Sequence, residues 1–162
     1  MSIRRLNHAV LYIRSIERSV AFYRDVLGFR IVHQFPGAVF LRAPGSDNDH
    51  DLGLFEVGAE ATASPAGRGA VGLYHLAWSV GTLTDLADYA ARLREAGSMV
   101  SSSDHVTTKA LYAKDPDGLE FEVCWLVPPD RITEQMRAAA GNRALDLTAE
   151  IEHWGADLVG MS

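Results

Sequence analysis

Hydrophobic spacing along the chain switches repeatedly between a period of two residues and a period near four, and each switch marks an element. From Arg4 to Ile13 apolar and polar positions alternate loosely among β-branched residues, which predicts a strand. Ile16, Val20, Tyr23 and Leu27 then recur at helical spacing, with Ser15 suited to the N-cap and Gly28 to the left-handed stop. Further strands are predicted over Phe29–Phe35, Ala38–Arg42 and His50–Val57, separated by Pro36-Gly37 and by the turn formers between Pro44 and Asp49. In the last of these, His50, Leu52, Leu54 and Glu56 are expected on one face, because strand side chains repeat every two residues.

The same order then begins again. Val71–Val80 predicts a strand with His75 in its middle, and Thr82 or Thr84 caps a helix carrying Leu83, Leu86, Ala90 and Leu93 up to Gly97. Strands follow over Ser98–Ser102, Lys109–Lys114 and, after the Asp115-Pro116-Asp117-Gly118 turn, Leu119–Leu126. The expected fold class is α+β, with two tandem βαβββ modules at residues 3–57 and 71–127. An Ala-, Gly-, Ser- and Pro-rich linker, residues 58–70, joins them. Pro128-Pro129 ends the second copy, and residues 128–162 are expected to form a helical C-terminal extension. Its helices are predicted from Asp130 to Ala140 and from Asp146 or Thr148 to Trp154, suited to covering an edge strand, closing a pocket or pairing subunits.

Polar residues repeat as well. His8, in Leu6-Asn7-His8-Ala9-Val10, and His75, in Leu73-Tyr74-His75-Leu76-Ala77, lie 67 positions apart. Glu56 and Glu122, each inside a Phe-Glu-Val triplet, lie 66 apart. A single histidine on an apolar strand is more often a hydrogen-bonded core residue than a ligand, but matched positions in two copies favour a ligand. Glu122 leans the same way, since a carboxylate on an apolar strand is costly unless paired or metal-bound. His33 and His153 have no such echo and are expected to be structural, and Cys124 to be a small buried filler.

Composition then narrows the class. A chain of 162 residues with 48% hydrophobic and 22% charged content can bury a globular core. A net charge of −6 with dispersed basic residues argues against nucleic acid and anionic membranes as partners. No apolar stretch is long enough to span a bilayer, and the strand pattern starts too early to leave room for a signal peptide. The lone Cys124 forms no internal disulfide, so a reducing, cytoplasmic setting is expected.

A β-α-β-β-β unit used twice, with an early His and a late Glu, resembles the vicinal oxygen chelate superfamily of glyoxalase I, bleomycin- and fosfomycin-resistance proteins and type I extradiol dioxygenases. The resemblance covers roughly residues 3 to 127. It implies a sheet-lined cup holding a divalent metal on His8, His75 and Glu122, with Glu56 as a possible fourth ligand. Two imidazoles and one carboxylate make the facial triad of non-haem Fe(II) chemistry, whereas glyoxalase-like isomerases use four protein ligands. Asp49-His50-Asp51-Leu52 resembles the extradiol strand carrying the catalytic base. Asp104-His105 followed by Lys109-Ala110-Leu111-Tyr112 resembles the stretch carrying a pocket His and a Tyr, as in small two-module catechol 2,3-dioxygenase-type proteins.

The implied enzyme cleaves a catechol-type substrate with Fe(II), using His50 as acid and base, Tyr112 to bind a substrate oxygen, and His105 at the pocket mouth. The alternatives are a glyoxalase-like isomerase or epimerase using Ni, Co, Mn or Zn, and a protein that sequesters a drug or metabolite. The expected assembly is a homodimer, with modules paired within one chain or exchanged between two.

Overall fold

A computed structural model of the chain describes residues 2–3, 5–67, 69–139 and 141–161. The predicted strand start at Arg4, the linker residue Arg68 and the predicted helix end at Ala140 lie outside the described residues. Two compact units make up the chain: residues 1–64 with 116–118, and residues 65–115 with 119–162.

The first unit runs β1 (Ala9–Ile13), α1 (Ile16–Asp25), β2 (Arg30–Phe35), β3 (Ala38–Arg42) and β4 (Leu52–Glu56). Its four strands are ordered β1-β4-β3-β2, with β1 parallel to β4 and the other neighbours antiparallel. The second repeats this with β5 (Leu76–Ser79), α2 (Leu83–Glu95), β6 (Met99–Asp104), β7 (Thr108–Lys114) and β8 (Glu120–Leu126), ordered β5-β8-β7-β6. The fold is α+β, two tandem βαβββ modules, followed by α3 (Glu134–Ala138) and α4 (Leu147–Trp154). Among the described residues no helix is long and apolar enough to cross a membrane.

Local chemistry explains the helix ends. Ser15 accepts a hydrogen bond from the Arg18 N–H, and Thr82 with Asp85 closes a reciprocal capping box. Gly28 and Gly97 stand just beyond the two helices at φ 77° and 65°, where a Cβ would be strained. In each module the helix covers one sheet face. Leu11, Ile13, Val39, Leu41, Leu52 and Leu54 are buried in the first, and Leu83, Leu86, Leu93, Leu111, Phe121 and Val123 in the second.

Several boundaries differ from the sequence reading, and β1 begins at Ala9, so His8 stands just before it. β5 pairs with β8 only from Leu76 onward, so His75 leads into the strand instead of standing at its centre. His50 likewise precedes β4. Asp130 belongs to a short 3-10 turn, Pro129–Arg131, and α3 is capped by Thr133 instead.

The C-terminal extension is built into the second unit. Arg143 pairs with Asp104 at the end of the edge strand β6, so part of that edge is covered by backbone. Trp125, fully buried, donates its indole N–H to the Leu158 carbonyl at 3.2 Å and packs against Trp154. Gly160 closes the seal: a Cβ there would stand 2.6 Å from Trp125 Nε1 and 2.7 Å from the Leu126 carbonyl oxygen. Gly160→Ala is therefore expected to cost about 1–3 kcal/mol through overpacking. Thermal melting with tryptophan fluorescence checks this, and an unchanged melting temperature would sink it.

Candidate functional site

Chemistry in the second unit gathers on the sheet face opposite α2. Period-two geometry sends Phe121, Val123 and Trp125 toward the helix and Glu122 and Cys124 the other way. Tyr112 is paired directly across from Glu122, and Ala110 across from Cys124. His75 Nε2 lies 3.1 Å from Glu122 Oε2, while its Nδ1 is buried with no partner. Burial, reinforced by the Glu122 charge, pushes the Tyr112 hydroxyl up to about 12, so this phenol stays protonated and can donate. The same two causes push the Cys124 thiol up to about 12, which makes it inert filler and no nucleophile.

Tyr112 Oη also meets His105 Nε2 at 2.9 Å. His105 sits in a tight turn whose next residue, Val106, has φ 70°. A β-branched residue in the left-handed region stores roughly 1–3 kcal/mol of strain, which the surroundings must hold in place. Part of that hold is the Asp104 carboxylate, which accepts the Val106 N–H at 2.8 Å. Burial works against the Asp104 charge, but its bonds to Lys109 and Val106, with the Lys109 and Arg143 charges, outweigh burial and keep its carboxyl below the usual range.

In the first unit His8 and His50 lie ring to ring, with centroids 4.5 Å apart, and Phe40 packs edge-on against His50. His8 Nδ1 faces the Asn7 side-chain oxygen at 2.8 Å, so in the neutral ring Nδ1 carries the proton and Nε2 keeps its lone pair. His50 is held in the same way by Asp49 Oδ2 at 2.8 Å, and its Nε2 is buried without a partner. The His50 hydrogen bond, foremost, holds the Asp49 carboxyl below the usual carboxylate range. A buried imidazole nitrogen with a free lone pair, backed by a carboxylate, is the arrangement a general base requires.

Glu56 and His50 do not share a face. Glu56 does share a face with Leu52 and Leu54, but that is the face under α1, since Leu54 pairs with Leu11 and Glu56 with Ile13. His50, expected on that face, instead lies ring to ring with His8 and Phe40, and Phe40 is paired with Gly53 on the opposite parity of β4. The Glu56 carboxylate accepts the Ile16 N–H at 2.8 Å, satisfying one of the unpaired donors at the start of α1.

Strand pairing shows why the Phe-Glu-Val echo misleads. Ala9, which follows His8, pairs with Leu52, and Leu76, which follows His75, pairs with Phe121. In this frame Glu122 corresponds to Gly53, three residues before Glu56, and an odd shift reverses the face. A side chain at Gly53 would stand 3.3 Å from both Phe40 and Val10, so the position is closely packed.

Of the residues singled out from sequence, His75 meets Glu122, His8 meets His50, and His105 meets Tyr112. Among the described residues no three His, Cys, Asp or Glu side chains are grouped to hold a metal. A divalent metal nevertheless fits the donors present. Adjacent ligands of an octahedral ion at roughly 2.1 Å stand about 3 Å apart, and His75 Nε2 and Glu122 Oε2 are 3.1 Å apart. Asn7, Asp49 and Lys109 were not singled out as functional; the signal for the first two was adjacency to a candidate histidine.

The chain belongs to the Glyoxalase/Bleomycin resistance protein/Dioxygenase superfamily, whose family model matches residues 5–123. It is 36% identical over 118 residues to catechol-2,3-dioxygenase of Bacillus subtilis (strain 168), a match taking in 73% of this chain and 40% of that protein. It is 33% identical over 137 residues to biphenyl-2,3-diol 1,2-dioxygenase 3 of Rhodococcus globerulus, covering 82% of this chain and 70% of that one. The chain thus spans less than half the length of the Bacillus relative. A glyoxylase/bleomycin resistance protein/dioxygenase domain from Frankia sp. EAN1pec superposes with a TM-score of 0.61 at 21% identity, over 76% of this chain and 92% of that one. At that identity the structural match bears on the fold alone.

Proposed function

We propose that this chain is a metal-dependent extradiol-type dioxygenase that opens a catechol-like ring beside its two hydroxyls, with His8, His75 and Glu122 as the metal ligands. The observation that carries the reading is the ligand count. The residue of the first module that corresponds to Glu122 is Gly53, and Glu56 caps α1 from the opposite face. That leaves two imidazoles and one carboxylate, the set suited to oxygen chemistry. A glyoxalase-like isomerase calls for a fourth protein ligand, and the Glu56 carboxylate is instead engaged at the Ile16 N–H. The two dioxygenase relatives, each named for a diol substrate, support the same choice.

The metal, Fe(II) in this reading with Mn, Ni, Co and Zn as alternatives, supplies Lewis acidity toward adjacent diol oxygens and access to dioxygen. His50 Nε2 takes a proton from the catechol hydroxyl and later returns it, as its free lone pair allows. Tyr112 keeps its proton and donates a hydrogen bond to the substrate oxygen, and His105 orients that hydroxyl. Both atoms of dioxygen end in the product as the ring carbon–carbon bond next to the diol breaks.

Oxygen uptake by anaerobically Fe(II)-loaded protein, measured against substituted catechols, tests the reading. Uptake with a yellow ring-opened product is expected; tight metal binding without uptake would overturn it. Glu56→Gln is expected to leave metal affinity unchanged and to cost about 0.5–1 kcal/mol of stability through the weakened interaction at the helix start. A clear fall in metal affinity would return Glu56 to the ligand set.

A further inference from the structure

Lys109 is a buried cation that the proposed chemistry does not use. It stands on β7 with its side chain 4% exposed, and its ammonium reaches two carboxylates: Asp104 Oδ1 at 2.5 Å and Glu150 Oε2 at 3.0 Å. Glu150 belongs to α4 in the C-terminal extension, and the Trp154 indole N–H steadies the same oxygen at 3.0 Å. The extension also grips Asp104 through its backbone. Asp104 N–H donates to the Arg143 carbonyl at 2.9 Å, and Arg143 N–H donates back at 3.0 Å.

Two bonds meet at one side-chain atom of Asp104. Asp104 Oδ1 accepts both the Lys109 ammonium and the N–H of Val106, the strained residue directly after His105. Lys109 and Tyr112 are three positions apart on β7, so their side chains leave opposite faces of the sheet. The extension holds Lys109 on one face, while His105 meets Tyr112 on the other, beside Glu122. The Asp104–Val106 turn is the piece of chain that joins the two.

We propose that the C-terminal extension is a positioning element for the His105–Tyr112 pair: Glu150 fixes Lys109, Lys109 fixes Asp104, and Asp104 holds the turn that aims His105 at Tyr112. This rests on the proposed reaction only for its catalytic meaning. The geometric claim stands without it. A buried cation between two carboxylates would be a needlessly costly fastener if covering the sheet were its whole role, since apolar packing does that as well.

The test uses the metal-free protein, with nitrogen-15 NMR of the histidine side chains as the readout. Tyr112→Phe first sets the His105 signal that corresponds to a lost partner. Glu150→Ala is expected to move the His105 resonances toward that reference and leave those of His50 at their wild-type positions. Glu150→Gln, whose amide oxygen still accepts from Lys109 and Trp154, is expected to restore them. A Glu150→Ala chain that melts earlier but keeps the wild-type His105 signal would overturn the proposal and leave the extension as a cover. Should that chain fail to fold, Glu150→Met, which keeps side-chain bulk but removes the carboxylate that Lys109 reaches, is read in the same way.

Ring cleavage by the Fe(II)-loaded variants is read separately. A fall in kcat of about tenfold with KM unchanged is expected for Glu150→Ala, as for loss of an outer partner. Absence of ring cleavage in the wild type would remove the proposed reaction, and the NMR comparison would still decide the positioning role.

Discussion

Glu122→Gln is expected to lower divalent-metal affinity by well over about 100-fold, the upper range for losing a mere outer partner of a ligand. The reason lies in what the substitution keeps and removes. An amide oxygen still accepts a hydrogen bond from His75 Nε2, now 3.1 Å from the carboxylate, so the metal-free fold loses little. The negative charge that would balance a divalent cation is gone, in a position where only 8% of the residue meets solvent. Titration with Fe(II) or Mn(II) against a competing chelator measures the affinity, and melting of the metal-free chain controls for folding. Near-wild-type affinity in a folded Glu122→Gln chain would remove Glu122 from the ligand set, and the three-ligand reading with it.

The second large effect is expected at His50. His50→Gln should retain metal binding and lower kcat for ring cleavage by about 10²–10⁴, the usual contribution of a positioned acid or base. Glutamine keeps bulk between His8 and Phe40, whose rings lie 4.5 and 4.9 Å from the imidazole, so His8 is not released from its packing. What disappears is the buried Nε2 lone pair, which glutamine cannot replace as a base near neutral pH. Steady-state kinetics on Fe(II)-loaded protein decides the matter. A folded, metal-replete His50→Gln chain with wild-type kcat would assign the proton transfer elsewhere.

Both predictions concern residues that the sequence marked, but for reasons of different quality. His8 and His75 were legible because they recur 67 positions apart in a repeated element order, although the sequence set each inside its strand and the structure sets each just before one. Glu122 was legible through burial logic, as a carboxylate amid Phe121, Val123 and Trp125. At Glu56 the triplet echo does not follow structural equivalence. The cue was real, yet β4 and β8 align three residues apart from it when their pairing with β1 and β5 is followed. The sequence puts His105 only at a pocket mouth, by resemblance, and its contact with Tyr112 is visible in the structure alone.

By itself the sequence determined the element order, the two modules and the matched histidine in each. Hydrophobic period, capping residues and turn glycines act over a few neighbours, so they are written locally. Only the tertiary structure decided which face each carboxylate takes, which histidine nitrogen is left free, and that Lys109 ties the C-terminal extension to the His105 turn. Those depend on strand register and on partners such as Glu56 with Ile16, or Lys109 with Glu150, dozens of residues apart. A shift of one residue in register leaves the local pattern of apolar and polar positions intact and turns every side chain to the other face.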